Sequence, residues 1–128
     1  MSRIRSTDTA PEIIVRKFLF SKGLRFRLHC KELPGKPDIV LPKYKAIVLV
    51  NGCFWHGHKN CSNFIIPQTR KKWWANKIMK TRERDKKNTR GLKKLGWHVH
   101  VVWECDLRKK NRTNRLVDLF QKILMINN

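Results

Sequence analysis

Cys53, His56, His58 and Cys61 fall within the ten residues Gly52 to Cys61, and Cys105 follows farther along. Taken as Cys53, His58, Cys61 and Cys105, they form a Cys-x4-His-x2-Cys pattern, with the fourth ligand after 43 intervening residues. Zinc takes sulfur and nitrogen ligands tetrahedrally, and a site filled by four protein ligands holds structure and leaves no open position for chemistry. Such a site would pin a loop to the end of a distant strand. The alternative is four small buried side chains with no metal, since cysteine often packs as an apolar residue. Which histidine joins the thiols stays open: His58 with His56 spare, or the reverse. Cys30 has no evident partner and reads as a core or surface thiol.

The spare imidazole matters because three acids could work with it. Asp38 follows the rigid turn Leu33-Pro34-Gly35-Lys36-Pro37 and begins an apolar run. A carboxylate held there suits Mg²⁺, which takes carboxylate oxygens and keeps several waters; the competing role is a loop cap. A neutral His56 near a metal-bound water is a candidate general base. Asp85 lies seven residues after Ile78 and seven before Leu92, so it shares their helix face. It could orient the imidazole as the third group of a triad does, or pair with Arg82 or Arg84. Glu12 could cap a helix or reach the metal's waters.

Large aromatics accompany these groups. Phe54 and Trp55 are adjacent, and two bulky neighbours in extended chain cannot both face one core. One or both should project, as apolar wedges that unstack base steps do; core packing is the alternative for each aromatic pair. Trp73 and Trp74 open a basic stretch in the same way, with Trp74 on the apolar side. Between Arg70 and Lys94 there are twelve Lys/Arg and two acids, a phosphate-tracking face.

The elements that must position these groups are legible in outline. A helix is expected over Ala10–Ser21, with Thr9 and Glu12 as a capping box, Pro11 in the first turn and Gly23 as the stop. A short strand follows at Arg25–His29. Ile39–Leu41 and Ala46–Val50 read as an antiparallel hairpin turned through Pro42–Lys45. A long helix is expected over Lys71–Leu95, with Trp74, Ile78, Asp85, Leu92 and Leu95 on one face and Gly96 as its stop. Trp97–Trp103 alternates as a strand. A last helix over Thr113–Ile126 carries Leu116, Phe120, Ile123 and Leu124 inward. The class is α/β, a mixed central sheet flanked by helices.

Composition narrows the partners. The 128 residues suffice for one domain with a single core, and a 41% hydrophobic share suits a folded globule. No apolar run approaches a membrane span and no secretory pattern opens the chain. The expected home is therefore a reducing cytoplasm, where the four cysteines read as ligands or core residues and not as disulfides. Thirty Lys/Arg against nine Asp/Glu give a formal charge of +21, far beyond what solubility needs. Nucleic acid is the leading partner, ahead of an anionic membrane surface or plain solubility, and binding to it is expected to depend steeply on salt.

Together these residues resemble the very short patch repair (Vsr) endonucleases. The likeness runs through Thr9-Ala10-Pro11-Glu12, Leu33 to Asp38, Gly52-Cys53-Phe54-Trp55-His56-Gly57-His58, Glu83-Arg84-Asp85, Leu95-Gly96-Trp97 and Val102-Trp103-Glu104-Cys105. The resemblance implies a restriction-endonuclease-like core, structural Zn²⁺ and catalytic Mg²⁺. It implies one endonuclease domain over residues 1–128, working as a monomer at the nucleoid in the bacterial cytoplasm. The implied reaction is a nick in one strand, 5′ to the thymine of a T:G mismatch in double-stranded DNA, that begins very short patch repair with other mismatch-repair proteins.

Carried over by motif, Asp38 is the implied Mg²⁺ ligand, His56 the base, Asp85 its partner and Glu12 a supporting acid. Cys53, His58, Cys61 and Cys105 are the implied zinc ligands, and Phe54, Trp55 and Trp74 the implied wedges. Asn51 stands where some members carry a histidine that assists catalysis. The His58-to-Cys61 spacing is one residue longer than in some members. The chain starts close to its first helix, where many members have a further DNA-contacting segment. The acid-x-Lys of ordinary restriction enzymes is missing from Val48-Leu49-Val50-Asn51, in keeping with Vsr. Two alternatives remain at this level: a zinc-stabilised DNA-binding module without catalysis, and a restriction-like nuclease acting on matched DNA.

Overall fold

The computed structural model describes residues 9–62 and 64–126. The residues before Thr9, on which the expectation about a further DNA-contacting segment falls, lie outside them. Three α-helices, α1 (Ala10–Ser21), α2 (Lys71–Lys94) and α3 (Arg112–Ile126), accompany four strands, β1 (Arg27–Leu28), β2 (Ile39–Leu41), β3 (Ala46–Asn51) and β4 (His98–Trp103). The strands form one mixed sheet in the order β1-β2-β3-β4. β2 and β3 pair antiparallel, with Val40 opposite Ile47, through a 3₁₀ turn at Pro42–Tyr44 that Lys45 closes in the left-handed region at φ 51. β4 pairs parallel with β3, which requires the long crossover that α2 supplies.

The sheet is buried on both faces, so β2 reads as an unbroken apolar run instead of an alternating one. One face packs Ile39, Leu41, Val48 and Val102 against Val15 and Leu19 of α1 and Leu116, Leu119 and Ile123 of α3. The other packs Val40 and Ile47 against Leu92 of α2, with Leu33, Leu49, Trp97 and Val99 around them. Cys30 belongs to this second core and donates its thiol to Glu32 at 3.0 Å.

Three expectations shift. The first strand keeps only Arg27–Leu28 of the expected Arg25–His29, because His29 turns into the left-handed region at φ 47 and ends the extended run. Leu28 stays exposed, while Leu24 and Phe26 turn to the core. Leu95 does not join the inward face of α2. It follows the last helical residue, where the chain unwinds toward Gly96, and is 56% exposed. On α3 the inward row is Leu116, Leu119 and Ile123, at i, i+3 and i+7, with Phe120 half-buried beside it. No helix among the described residues is long and apolar enough to cross a membrane.

Candidate active site and metal centre

Asp38, at the start of β2, reaches the end of β3: the Val50 N–H donates to Asp38 Oδ2 at 2.9 Å. The side chain thereby takes the place of the next ladder bond and opens the hairpin at this end. Burial pushes the Asp38 carboxyl up to about 6, with the Glu12 charge adding to the rise and the Val50 donor opposing it. Glu12 is 2% exposed on α1. Its N–H donates to the Thr9 hydroxyl at 3.4 Å, the expected cap bond, while its carboxylate accepts from Arg16 Nη2 at 3.0 Å.

β3 then leads into the loop 52–58, folded on itself by backbone bonds from His56 N–H to the Gly52 carbonyl (3.2 Å) and from His58 N–H to the Cys53 carbonyl (2.9 Å). These turns send the two histidines to different places. His56 Nδ1 lies 2.6 Å from Asp85 Oδ2 on α2. A carboxylate accepts only, so Nδ1 carries the proton and Nε2 is left able to take one. The pairing of Asp85 with Arg82 or Arg84 gives way to this contact. Arg82 donates instead to the Gly57 carbonyl, from Nε at 3.1 Å and from Nη2 as well.

His58 goes to the thiols. Ligand atoms of Cys53, His58, Cys61 and Cys105 all lie within 4.8 Å of one another, and Cys105 Sγ is 3.4 Å from His58 Nδ1. The His58 ring stacks on Trp103 at 4.0 Å and 6°, which fixes its plane. Glu104 accepts from the Cys53 N–H at 3.3 Å. Burial and the neighbouring Cys53 and Cys61 thiols push Cys105 up to about 12. Several thiols crowded this way ionise readily only beside a cation. The donor set and its spacing fit a tetrahedral zinc ion.

Asp38, Glu12, Asn51, His56 and Asp85 line one cleft of about 1160 Å³, whose rim includes Phe54 and Trp55. Asn51 ends β3 opposite Trp103 of β4. Phe54 and Trp55 are both half-buried, their rings 5.2 Å apart. Trp74 stands 5.4 Å from Phe54 and 5.7 Å from Trp55. It therefore packs in an aromatic cluster at the cleft mouth and outside both cores, with Trp73 44% exposed beside it.

One group in the cleft escaped the sequence reading. His29 Nε2 comes within 3.6 Å of Glu12 Oε2, and one ligand atom each from Glu12, His29 and Asp38 lie within 4.8 Å of one another. A lone histidine after Leu28 carries no spacing signal. Only the pairing of β1 with β2 brings it to Asp38.

The sequence model of the family described as "DNA mismatch endonuclease Vsr" matches residues 1–63. The chain is 50% identical over 121 residues to the type II nicking enzyme V.NmeAIP of Neisseria meningitidis, covering 91% of this chain and 86% of that one. It is 48% identical over 107 residues to the type II nicking enzyme V.XorIIP of Xanthomonas oryzae pv. oryzae, covering 84% and 78%. It is 42% identical over 112 residues to the DNA mismatch endonuclease Vsr of Escherichia coli K12, covering 88% and 71%.

Proposed function

The chain belongs to the Vsr family of DNA mismatch endonucleases and is a nuclease acting on DNA, and from that premise we propose that it makes a single-strand nick 5′ to the thymine of a T:G mismatch, with Mg²⁺ as cofactor. The observation that carries the reading is the 2.6 Å pair of His56 Nδ1 and Asp85 Oδ2, set in the same cleft as Asp38 and Glu12. An imidazole fixed through Nδ1 presents Nε2 as a base, and the carboxylate behind it stabilises the imidazolium that forms.

In the proposed mechanism His56 Nε2 takes a proton from a water, which attacks the phosphodiester in line with the leaving oxygen. Asp85 holds the ring in its tautomer and balances the new charge. Asp38 supplies the principal carboxylate for the ion, with Glu12 supporting it. Their oxygens fit a hard dication, and burial of Asp38 adds a reason for a cation there. When bound, Mg²⁺ stabilises the negative charge that develops on the phosphate. Asn51, at the cleft wall, is a neutral amide that can orient the phosphate or a water but cannot act as a second base.

Cys53, His58, Cys61 and Cys105 are proposed to hold structural Zn²⁺, tying the loop that carries His56 to the end of β4. Phe54, Trp55 and Trp74 are proposed to wedge between base steps beside the mismatch. The Lys/Arg side chains between Arg70 and Lys94, Arg82 apart, are proposed to supply phosphate contacts along and beside α2. The sheet is read as a restriction-endonuclease-like core in one domain over residues 1–128. The protein is read as a monomer at the nucleoid of a bacterial cytoplasm, working ahead of other mismatch-repair proteins.

The test is a strand-specific nicking assay with Mg²⁺. It compares a duplex carrying one T:G mismatch, in varied flanking sequence, with matched T:A and C:G duplexes. One nick 5′ to the mismatched thymine, abolished by EDTA, is the expected result. Equal cutting of matched duplex, or binding without any cut, would overturn the reading.

A further inference from the structure

The cleft contains a nitrogen donor that an all-oxygen magnesium site does not need. His29 lines it together with Glu12 and Asp38. The backbone builds the arrangement: the His29 N–H donates to the Asp38 carbonyl at 3.1 Å, just past the register Leu28 opposite Ile39. His29 also holds φ 47, a left-handed conformation uncommon outside glycine. Such strained residues gather at ligand sites, where the surrounding structure holds them in place. Arg16 Nη2 sits 3.0 Å from Glu12 Oε2 and 3.3 Å from His29 Nε2.

We propose that His29 is a third protein ligand of the ion held by Asp38 and Glu12, and that it gives the site a preference for a first-row transition dication over magnesium, with manganese as the probe. The inference rests on the assignment of Asp38 and Glu12 under Proposed function. Three ligand atoms within 4.8 Å of one another can share one ion at ordinary ligand distances. Two carboxylates meet the charge of either dication. The imidazole separates them: Mg²⁺ prefers oxygens and its own waters, whereas first-row transition ions bind imidazole nitrogen more strongly than Mg²⁺ does, Mn²⁺ least among them, so a preference for Mn²⁺ is the most demanding case. The Arg16 charge repels both dications alike, but its Nη2 contact must give way before His29 Nε2 binds an ion, so the expected preference is the imidazole's gain less that contact.

The test titrates Mn²⁺ into the full, zinc-retaining chain by electron paramagnetic resonance and measures Mg²⁺ by competition. The wild type is expected to bind Mn²⁺ at least about tenfold more tightly than Mg²⁺ and to show a nitrogen coupling from a directly bound imidazole. His29→Asn should erase the coupling and most of the gap, with Mg²⁺ affinity changed by less than about threefold. His29→Gln serves as the second variant if His29→Asn loses zinc or fold. A coupling and affinity ratio that survive in a folded His29 variant overturn the inference. Asp38→Asn separates the two levels. If it leaves Mn²⁺ binding intact, the assignment of Asp38 falls with everything built on it. If it abolishes binding while the His29 variants change nothing, this inference alone falls.

Discussion

Arg82 grips the carbonyl oxygen of Gly57, with its Nε donating at 3.1 Å, one helical turn before Asp85 takes hold of His56. The two contacts lie at i and i+3 on α2, so one helix face fastens two consecutive residues of the loop between the proposed base and the proposed zinc ligand His58. Gly57 is needed for this. Its φ is 59, and a Cβ would sit 2.5 Å from Arg82 Nε and 2.6 Å from Ile78 Cγ2. Gly57→Ala should therefore push the loop off α2. The left-handed backbone and the clash together should cost about 2 kcal/mol or more of stability. The nicking rate should fall by about a hundredfold, the scale of a one-ångström misplacement of a reacting group. Arg82→Met should lose rate with a smaller change in melting temperature. A Gly57→Ala protein with wild-type rate would show that the grip does not position His56.

Asp85→Asn keeps the shape of the acid but removes the charge behind the ring. The amide can offer Nδ1 a donor and so favour the wrong tautomer, in which Nε2 already holds a proton. The expected loss in nicking rate is about 10²- to 10⁴-fold, with binding to mismatched duplex nearly unchanged. His56→Ala should fall in the same range, and the double variant little further, because the pair acts as a unit. Single-turnover rates beside equilibrium binding check this; losses that multiply in the double variant would separate the two residues.

The sheet was largely readable in the sequence, and the reasons are local. Ile39–Leu41 and Ala46–Val50 are short apolar runs broken by a proline-containing turn, and they pair as the expected antiparallel hairpin. The crossover helix and β4 follow from a long periodic stretch and a clean alternation. Cys53, His58, Cys61 and Cys105 stood out because metal ligands in one loop keep a short spacing, and the loop turns then part His58 from His56. His29 and Arg82 were not readable. His29 reaches Glu12 only through strand pairing and a left-handed backbone, and Arg82 looks like any other arginine on a basic helix until its partner carbonyl is seen. The inward face of α2 was half right: Ile78 and Leu92 are buried, but Trp74 belongs to the aromatic cluster.

Zinc removal should unfold the loop and not merely slow the enzyme. Cys105 comes from the 3₁₀ turn after β4 and Cys53, His58 and Cys61 from the loop after β3, so no short segment closes the site without the ion. Cys105→Ala should lower the zinc content below one equivalent and cost several kcal/mol, on the order of 3. Elemental analysis with thermal melts checks both. A zinc-free protein that melts like the wild type would return these cysteines to ordinary packing.

The aromatic cluster gives a prediction about discrimination. If Trp74, Phe54 and Trp55 stack on unpaired or opened base steps, Trp74→Ala should weaken mismatched duplex by about tenfold, the scale of one base–aromatic stack. Matched duplex, held through phosphates, should change little, and the slope of log affinity against log salt should stay the same. Equal losses on both duplexes would make Trp74 a structural support for Phe54.

Burial of Asp38 predicts a pH dependence whose sign differs from that of an ordinary surface acid. Its carboxyl is raised from 3.8 to about 6 in the folded protein. The ionised form is therefore the one the fold penalises. Below about pH 4 both folded and unfolded chains hold the proton and the penalty is absent; above about pH 6 it is fully present. The metal-free protein should lose stability as pH rises through this window, by at most about 3 kcal/mol and less to the extent that water reaches the carboxyl. A dication binds the ionised carboxylate, so it competes with the proton below about pH 6 and reverses the penalty above it. The rise in melting temperature on adding Mg²⁺ should grow from about pH 4.5 to about pH 7. Asp38→Asn should flatten that growth and stabilise the metal-free protein at neutral pH, even as it abolishes nicking. The difference between wild type and variant is the quantity to compare. A metal effect that grows with pH just as steeply in Asp38→Asn would place the ion on other ligands.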